Sequence, residues 1–198
     1  GHGCTVTHVK NITDVGHLVA DAESGEDKIE KEARRIAIEK RGADAQVEHD
    51  DVIAVAEMYT SQYLEDEALL RMLEPAERPK ASEYVEQMKA MIEELLKKGH
   101  AYATQDGIYF DVTSHLKTPY GTLSGNRLDD LQAGSRVDVN EGKKHPADFA
   151  LWKFRVGMNE KHVLRWPSPL SATGEAFPDG FPGWHIECTA MCFSTLGK

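Results

Sequence analysis

A thiol, an imidazole, a carboxylate and an indole fall within five consecutive positions at Trp184-His185-Ile186-Glu187-Cys188. They belong to the longer run Gly183-Trp184-His185-Ile186-Glu187-Cys188-Thr189-Ala190-Met191. If a helix begins near His185 or Ile186, Cys188 lies in its first turn. There the positive end of the helix dipole lowers a thiol pKa and favours the thiolate that binds a soft metal such as zinc. Cys192 is four positions further on and shares the helix face. The spacing alone leaves a second reading open. Free cysteine is among the most buried residue types, so both thiols could be small core hydrophobes. The paired C-x-x-C array that would specify zinc from sequence alone is absent.

A second polar group lies near the start of the chain. Val6 to Ile12 alternates apolar and polar residues, is rich in β-branched types, and is predicted to be a strand. Asn11 to His17 then leaves the strand end, carrying Thr13, Asp14 and His17. Loops just past strand ends carry ligands in open α/β sheets.

Helices must position these two groups. Ser24-Gly25-Glu26-Asp27 has capping-box spacing and predicts a helix start, with Ile29, Ala33, Ile36 and Ala37 on one face and Gly42 as the stop. A second helix is expected from about Asp50, with Val52, Val55, Ala56, Tyr59 and Tyr63 inside, ending before Pro75. A third runs from about Ala81 to Lys98, with Val85, Met88, Ile92 and Leu95 as its apolar face and Gly99 after it. Ala101–Thr104 and Ile108–Val112 read as a hairpin around Gln105-Asp106-Gly107. Ile186 to Leu196 reads as a final helix. This gives segments 1–99, 100–181 and 182–198. The middle one, rich in Gly, Pro, Ser and Asp with scattered aromatics, is a small α+β insert.

Composition narrows the classes. The chain has 198 residues, net charge −10, and 28% charged residues. A domain-wide basic footprint for nucleic acid is absent, although a local basic face around Lys143 and Lys144 stays open. No apolar run approaches the roughly 20 residues that span a bilayer, and no signal peptide opens the chain. Three cysteines argue for a reducing, cytoplasmic setting rather than a disulfide scaffold.

Eight segments in order resemble cysteinyl-tRNA synthetases. PGWHIECTAM is similar to the PGWHIECSAM segment of that family. VTHVKNITDVGHL, GEDKIEKEARR, KGHAYATQDGIYFDV, YGTLSG, LQAGSRVDV, HPADFALWK and WPSP resemble successive pieces of its catalytic region and connective insert. The resemblance implies an α/β fold: part of a split Rossmann-type class I synthetase catalytic domain with a small α+β insert. It implies activation of cysteine with ATP and magnesium, transfer to tRNA(Cys), a monomer, and a zinc held by two cysteines, a histidine and a glutamate. A substrate thiolate on such a zinc would exclude serine and alanine, which are poor zinc ligands.

Residue by residue, Cys188 matches a zinc-binding cysteine, Thr13 a threonine lining the cysteine pocket, and Trp184 and His185 residues that contact the bound amino acid. On the residues alone, Trp184 is equally a core aromatic and His185 a structural histidine. Asp14 and His17 read as loop scaffolding. Glu187 either orients the site or is a solvated helix-face carboxylate. No catalytic residue carries over. HIGH, KMSKS, the family's first zinc cysteine and its histidine and glutamate ligands have no counterpart in these 198 positions, and Cys4 falls where the family has no ligand. The 198 residues alone are therefore expected to be an inactive fragment. The mycothiol-pathway cysteine ligase is the alternative enzyme, and a non-catalytic module binding tRNA or a partner half the alternative of another class.

Overall fold

The computed structural model describes residues 3–15, 27–114, 118, 120–125 and 142–197. His17, Ser24–Glu26 and the LQAGSRVDV segment lie outside the described residues.

Helix α1 spans Lys28–Arg41. Its cap is Asp27, whose carboxylate accepts from the Ile29 and Glu30 amides at 2.7 and 3.0 Å. Gly42 ends it at φ 98°, a left-handed backbone that glycine adopts without cost. Helix α2 spans His49–Leu69 and ends before Pro75 as expected, six residues short of it. Arg71 follows at φ 55°, so the chain has already turned left-handed before the proline is reached.

Val6–Ile12 is extended but does not form a continuous strand. Two isolated parallel bridges, Val9 with Glu77 and Ile12 with Lys80, join it to the segment after α2. Pro75 and Pro79 in that partner lack N–H groups, so the ladder stays short. Pro79 contributes only its carbonyl, which accepts from Ile12 N at 2.8 Å.

The expected third helix opens as a 3₁₀ turn, Ala81–Tyr84, and continues as α3, Val85–Lys97. The expected hairpin forms from β1, Ala101–Ala103, and β2, Gly107–Phe110. Strands β3, Phe149–Phe154, and β4, Gly180–Pro182, complete a four-stranded sheet in the order β1-β2-β3-β4, antiparallel throughout. Helix α4 spans Trp184–Leu196.

Two cores hold these elements. In the larger, Val85, Met88 and Ile92 of α3 and Ile186, Ala190 and Met191 of α4 pack on Ile108, Leu151, Trp152 and Phe154 of the sheet. In the smaller, Leu164 packs between Ala33 of α1 and Val52 and Val55 of α2. Residues from 1–99, 100–181 and 182–198 thus share the larger core, and the 162–166 stretch packs onto the α1–α2 pair. No helix among the described residues is long and apolar enough to cross a membrane.

A charged knot fixes the extended segment to α2. Glu67 is buried and receives Lys10 and the Tyr63 hydroxyl, and Arg78 Nη2 lies 2.6 Å from its other oxygen. The bonds from Lys10 and Tyr63 hold the Glu67 carboxyl down to about 2. Its folded value therefore lies below the unfolded value of about 4.3. The stability it contributes is complete above that unfolded value and is lost as the pH falls towards 2. Glu67→Gln should flatten this part of the acid-unfolding curve, followed by circular dichroism from about pH 5 downward. An acid limb identical to wild type would remove Glu67 from the account.

Candidate functional site

The two sequence groups, separated by most of the chain, meet. Asn11 Nδ2 lies 3.7 Å from Cys188 Sγ and 3.4 Å from Thr13 Oγ1. Asn11 therefore bridges the 11–14 loop and the α4 surface, a role the sequence reading missed although the residue stands inside the motif it used.

The loop is held from below. Asp14 is buried and accepts from Ser82 N at 2.8 Å and Ser82 Oγ at 2.5 Å, and Ala81 N donates to Ile12 O at 2.9 Å. Asp14 is scaffolding: it caps the turn that leads into α3 and so ties the loop to the larger core. Thr13 is half-buried beside it.

Helix α4 starts one to two residues earlier than the sequence suggested, with Gly183 as its cap. Cys188 is therefore its fifth residue, past the free N–H groups of the helix start. The expected depression of its pKa does not occur. Lost solvation around the sulfur, followed by the Glu187 carboxylate, pushes the Cys188 thiol up against the opposing bond from Asn11. A thiol in this state becomes a thiolate ligand when metal binding itself displaces the proton.

Exposure bears on the packing readings left open. Cys188 and Cys192 are both exposed thiols, so neither is a core hydrophobe. Trp184 is 57% exposed and is not a core aromatic. Glu187 is the reverse: it is fully buried, not a solvated helix-face carboxylate. The His185 ring packs 4.6 Å from the Phe149 ring, and burial lowers its pKa, favouring the neutral imidazole. Phe149 in turn stacks on Phe110 at 5.2 Å and meets Tyr120 at 6.2 Å. This aromatic bed under His185 was not legible from the sequence, because it joins β2, β3 and a distant turn.

Among the described residues no three His, Cys, Asp or Glu side chains converge to hold a metal. Cys188 fits as one soft donor beside the loop, and the remaining donors of a closed zinc site are not supplied by these residues. A cleft of about 1010 Å³ opens between the loop, α1 and α2. Asn11, Thr13, Lys28, Arg34, Tyr59 and Tyr63 are among its lining residues. Asn11 thus lines this cleft and also reaches Cys188 on α4.

Comparison with known proteins adds to the geometry. The family model for the class I (C) tRNA synthetase catalytic domain matches residues 2–198. A cysteine–tRNA ligase from Deinococcus radiodurans is 41% identical over 196 residues, covering 99% of this chain and 34% of that protein. One from Thermus thermophilus is 42% identical over 196 residues, covering 99% and 36%. One from Phocaeicola vulgatus is 41% identical over 198 residues, again covering 99% and 36%. The chain spans about a third of the length of the curated relatives it matches.

Proposed function

The chain belongs to the family of class I tRNA synthetase catalytic domains of the cysteine type, and from that premise we propose that it is the part of a cysteine–tRNA ligase that grips the amino acid. The protein that carries it activates cysteine with ATP and magnesium and transfers the cysteinyl group to tRNA(Cys). The fold accords with this: a mixed α/β piece of a split Rossmann-type catalytic domain, with flanking helices on a central sheet.

The observation that carries the reading is the meeting of the Asn11–Thr13 loop with Cys188, at 3.7 Å, across 177 positions of sequence. Thr13, Trp184 and His185 line the cysteine pocket. Thr13 offers a hydroxyl, His185 a neutral imidazole held on Phe149, and Trp184 an exposed indole that a ligand can cover. Cys188 would supply one thiolate to a zinc, and the chemistry such an ion would bring to the pocket is a preference for thiolate sulfur over a hydroxyl. That preference for sulfur separates cysteine from serine more sharply than an apolar pocket, which discriminates a missing methylene by only about 10–200-fold. The division into 1–99, 100–181 and 182–198, with the middle segment as connective insert, completes the proposal. So do a cytoplasmic setting and a monomeric state, the former supported by three cysteines of which none is in a disulfide.

ATP–pyrophosphate exchange tests this. The gene product that carries the chain should exchange in a cysteine-dependent manner, with serine and alanine far below. The purified 198 residues should not exceed a no-protein control, since they contain neither HIGH nor KMSKS, whose positioning and charge stabilisation supply most of such a rate. Serine supporting exchange as well as cysteine would refute the pocket assignment.

A further inference from the structure

A buried titratable cluster lies away from the pocket, between the start of α1 and the 162–164 segment. The His162 side chain is 3% exposed, with Nδ1 2.5 Å from Glu30 Oε1 and Nε2 3.9 Å from Asp27 Oδ2. The same Glu30 oxygen accepts from Val163 N at 2.6 Å and Leu164 N at 3.2 Å. Burial pushes the Glu30 carboxyl up, but the bonds from His162 and these two amides outweigh it and hold its pKa below the ordinary range. Asp27 is the α1 cap. Arg155 Nε binds the His162 carbonyl at 3.0 Å.

The imidazole also packs against β4. Its ring centre lies 4.1 Å from that of Phe181. Phe181 is the middle residue of β4, and Gly183 and Trp184 follow at once. On the α1 side, Lys28 and Ile29 line the same cleft as Asn11 to Asp14. The cluster therefore joins the start of α1, which shares that cleft with the 11–14 loop, to β4, which leads into α4.

Buried ionisable pairs of this kind rarely add net stability over an apolar replacement, and a well-attested use is to specify one arrangement among several. Their geometry is demanding: a misplacement of about 1 Å far from the chemistry can cost about 100-fold in rate. We propose that Glu30 and His162 are positioning residues for the cysteine pocket, locking α1 to β4 so that the 11–14 loop faces the start of α4 in one register. Neither touches the ligand; they act through Phe181 and through the first turn of α1. This rests on the pocket assignment above, in which the loop and α4 form one site.

Disulfide trapping measures the register without substrate or metal. In the chelator-treated gene product that carries this chain, with Asn11→Cys, Cys4→Ser and Cys192→Ser, diamide should join residue 11 to Cys188 rapidly, as read by peptide mapping. Adding His162→Phe keeps an aromatic ring on Phe181 but removes both carboxylate contacts, and trapping should slow about tenfold. Glu30→Gln keeps the acceptor oxygen for His162, Val163 and Leu164, and should trap near the background rate. His162→Gln keeps a donor to Glu30 and should fall between. Ile92→Val lowers stability in the larger core without slowing trapping, which separates register from general loosening. If His162→Phe shows no cooperative melt, the His162→Gln rate decides. Background rates in the folded His162 variants overturn the positioning role alone. No trapping in the background chain overturns the pocket assignment and this inference with it.

Discussion

Cys188→Ser in the gene product that carries this chain should remove cysteine activation while leaving the fold in place. Losing even an outer-shell partner of a metal site costs about 10–100-fold in affinity or activity, and loss of a direct thiolate should cost at least that. Serine keeps its proton at neutral pH and binds zinc poorly. The structural cost should be small because Cys188 is exposed and serine is of similar size, so stability should move by no more than about 0.5 kcal/mol. The effect should appear in the KM for cysteine and in kcat, with the KM for tRNA little changed. Zinc content, exchange kinetics and Tm on one preparation check all three. Full zinc and normal kinetics in the Ser variant would show that Cys188 is not a ligand. A lower Tm with normal kinetics in the folded fraction would return it to a packing role.

Gly183→Ala should be far more damaging than its size suggests. A Cβ at Gly183 would lie 2.2 Å from the Ala150 carbonyl oxygen and 2.8 Å from its carbon. These are backbone atoms of β3, an interior strand paired on both sides, and they cannot move aside as a side chain can. Backbone strain is not the reason, since Gly183 sits at φ −79° and ψ 155°, which any residue adopts. Either α4 moves off the sheet or the strand bends, at about 3 kcal/mol. For a chain of this length that lowers Tm by about 6–12 °C. Because Gly183 caps the helix that carries Trp184, His185 and Cys188, cysteine binding should fall even in the fraction that folds. Gly174→Ala is the contrasting variant. Its Cβ meets nothing within 4 Å, and only its φ of 86° opposes the change, so about 1 kcal/mol is expected. Comparable melting curves for the two would mean that the junction of β3 and α4 yields.

What could be read from the sequence was local. Gly42 and Gly99 end α1 and α3 where the pattern placed them, because a helix end needs only its own neighbours. The hairpin of β1 and β2 was legible for the same reason. Strand β3 carries no comparable signal. Phe149–Phe154 lies between β2 and β4 and is buried along most of its length, so no apolar–polar alternation marks it. Residue type alone could not place two side chains of α4, where the indole of Trp184 faces out and the carboxylate of Glu187 is enclosed. Thr13 and Cys188 stand out through motif resemblance, whereas the Asn11 bridge depends on a contact across 177 positions that no local pattern encodes.

That same span has a consequence for synthesis. The faces of α3 and the sheet that α4 covers exist before α4 does, and Ile186, Ala190 and Met191 close them last. At a translation rate of about 5–20 residues per second, roughly 5–20 s separate the appearance of β1 from that of the end of α4. During this interval Met88 and Ile92, joined by Leu151 once β3 has been made, lack the cover of α4, and the nascent chain presents an adhesive apolar surface. A chaperone that recognises such surfaces would engage the polypeptide in that window and release it when α4 docks, so assembly of the cysteine pocket and burial of the sticky face would be one event.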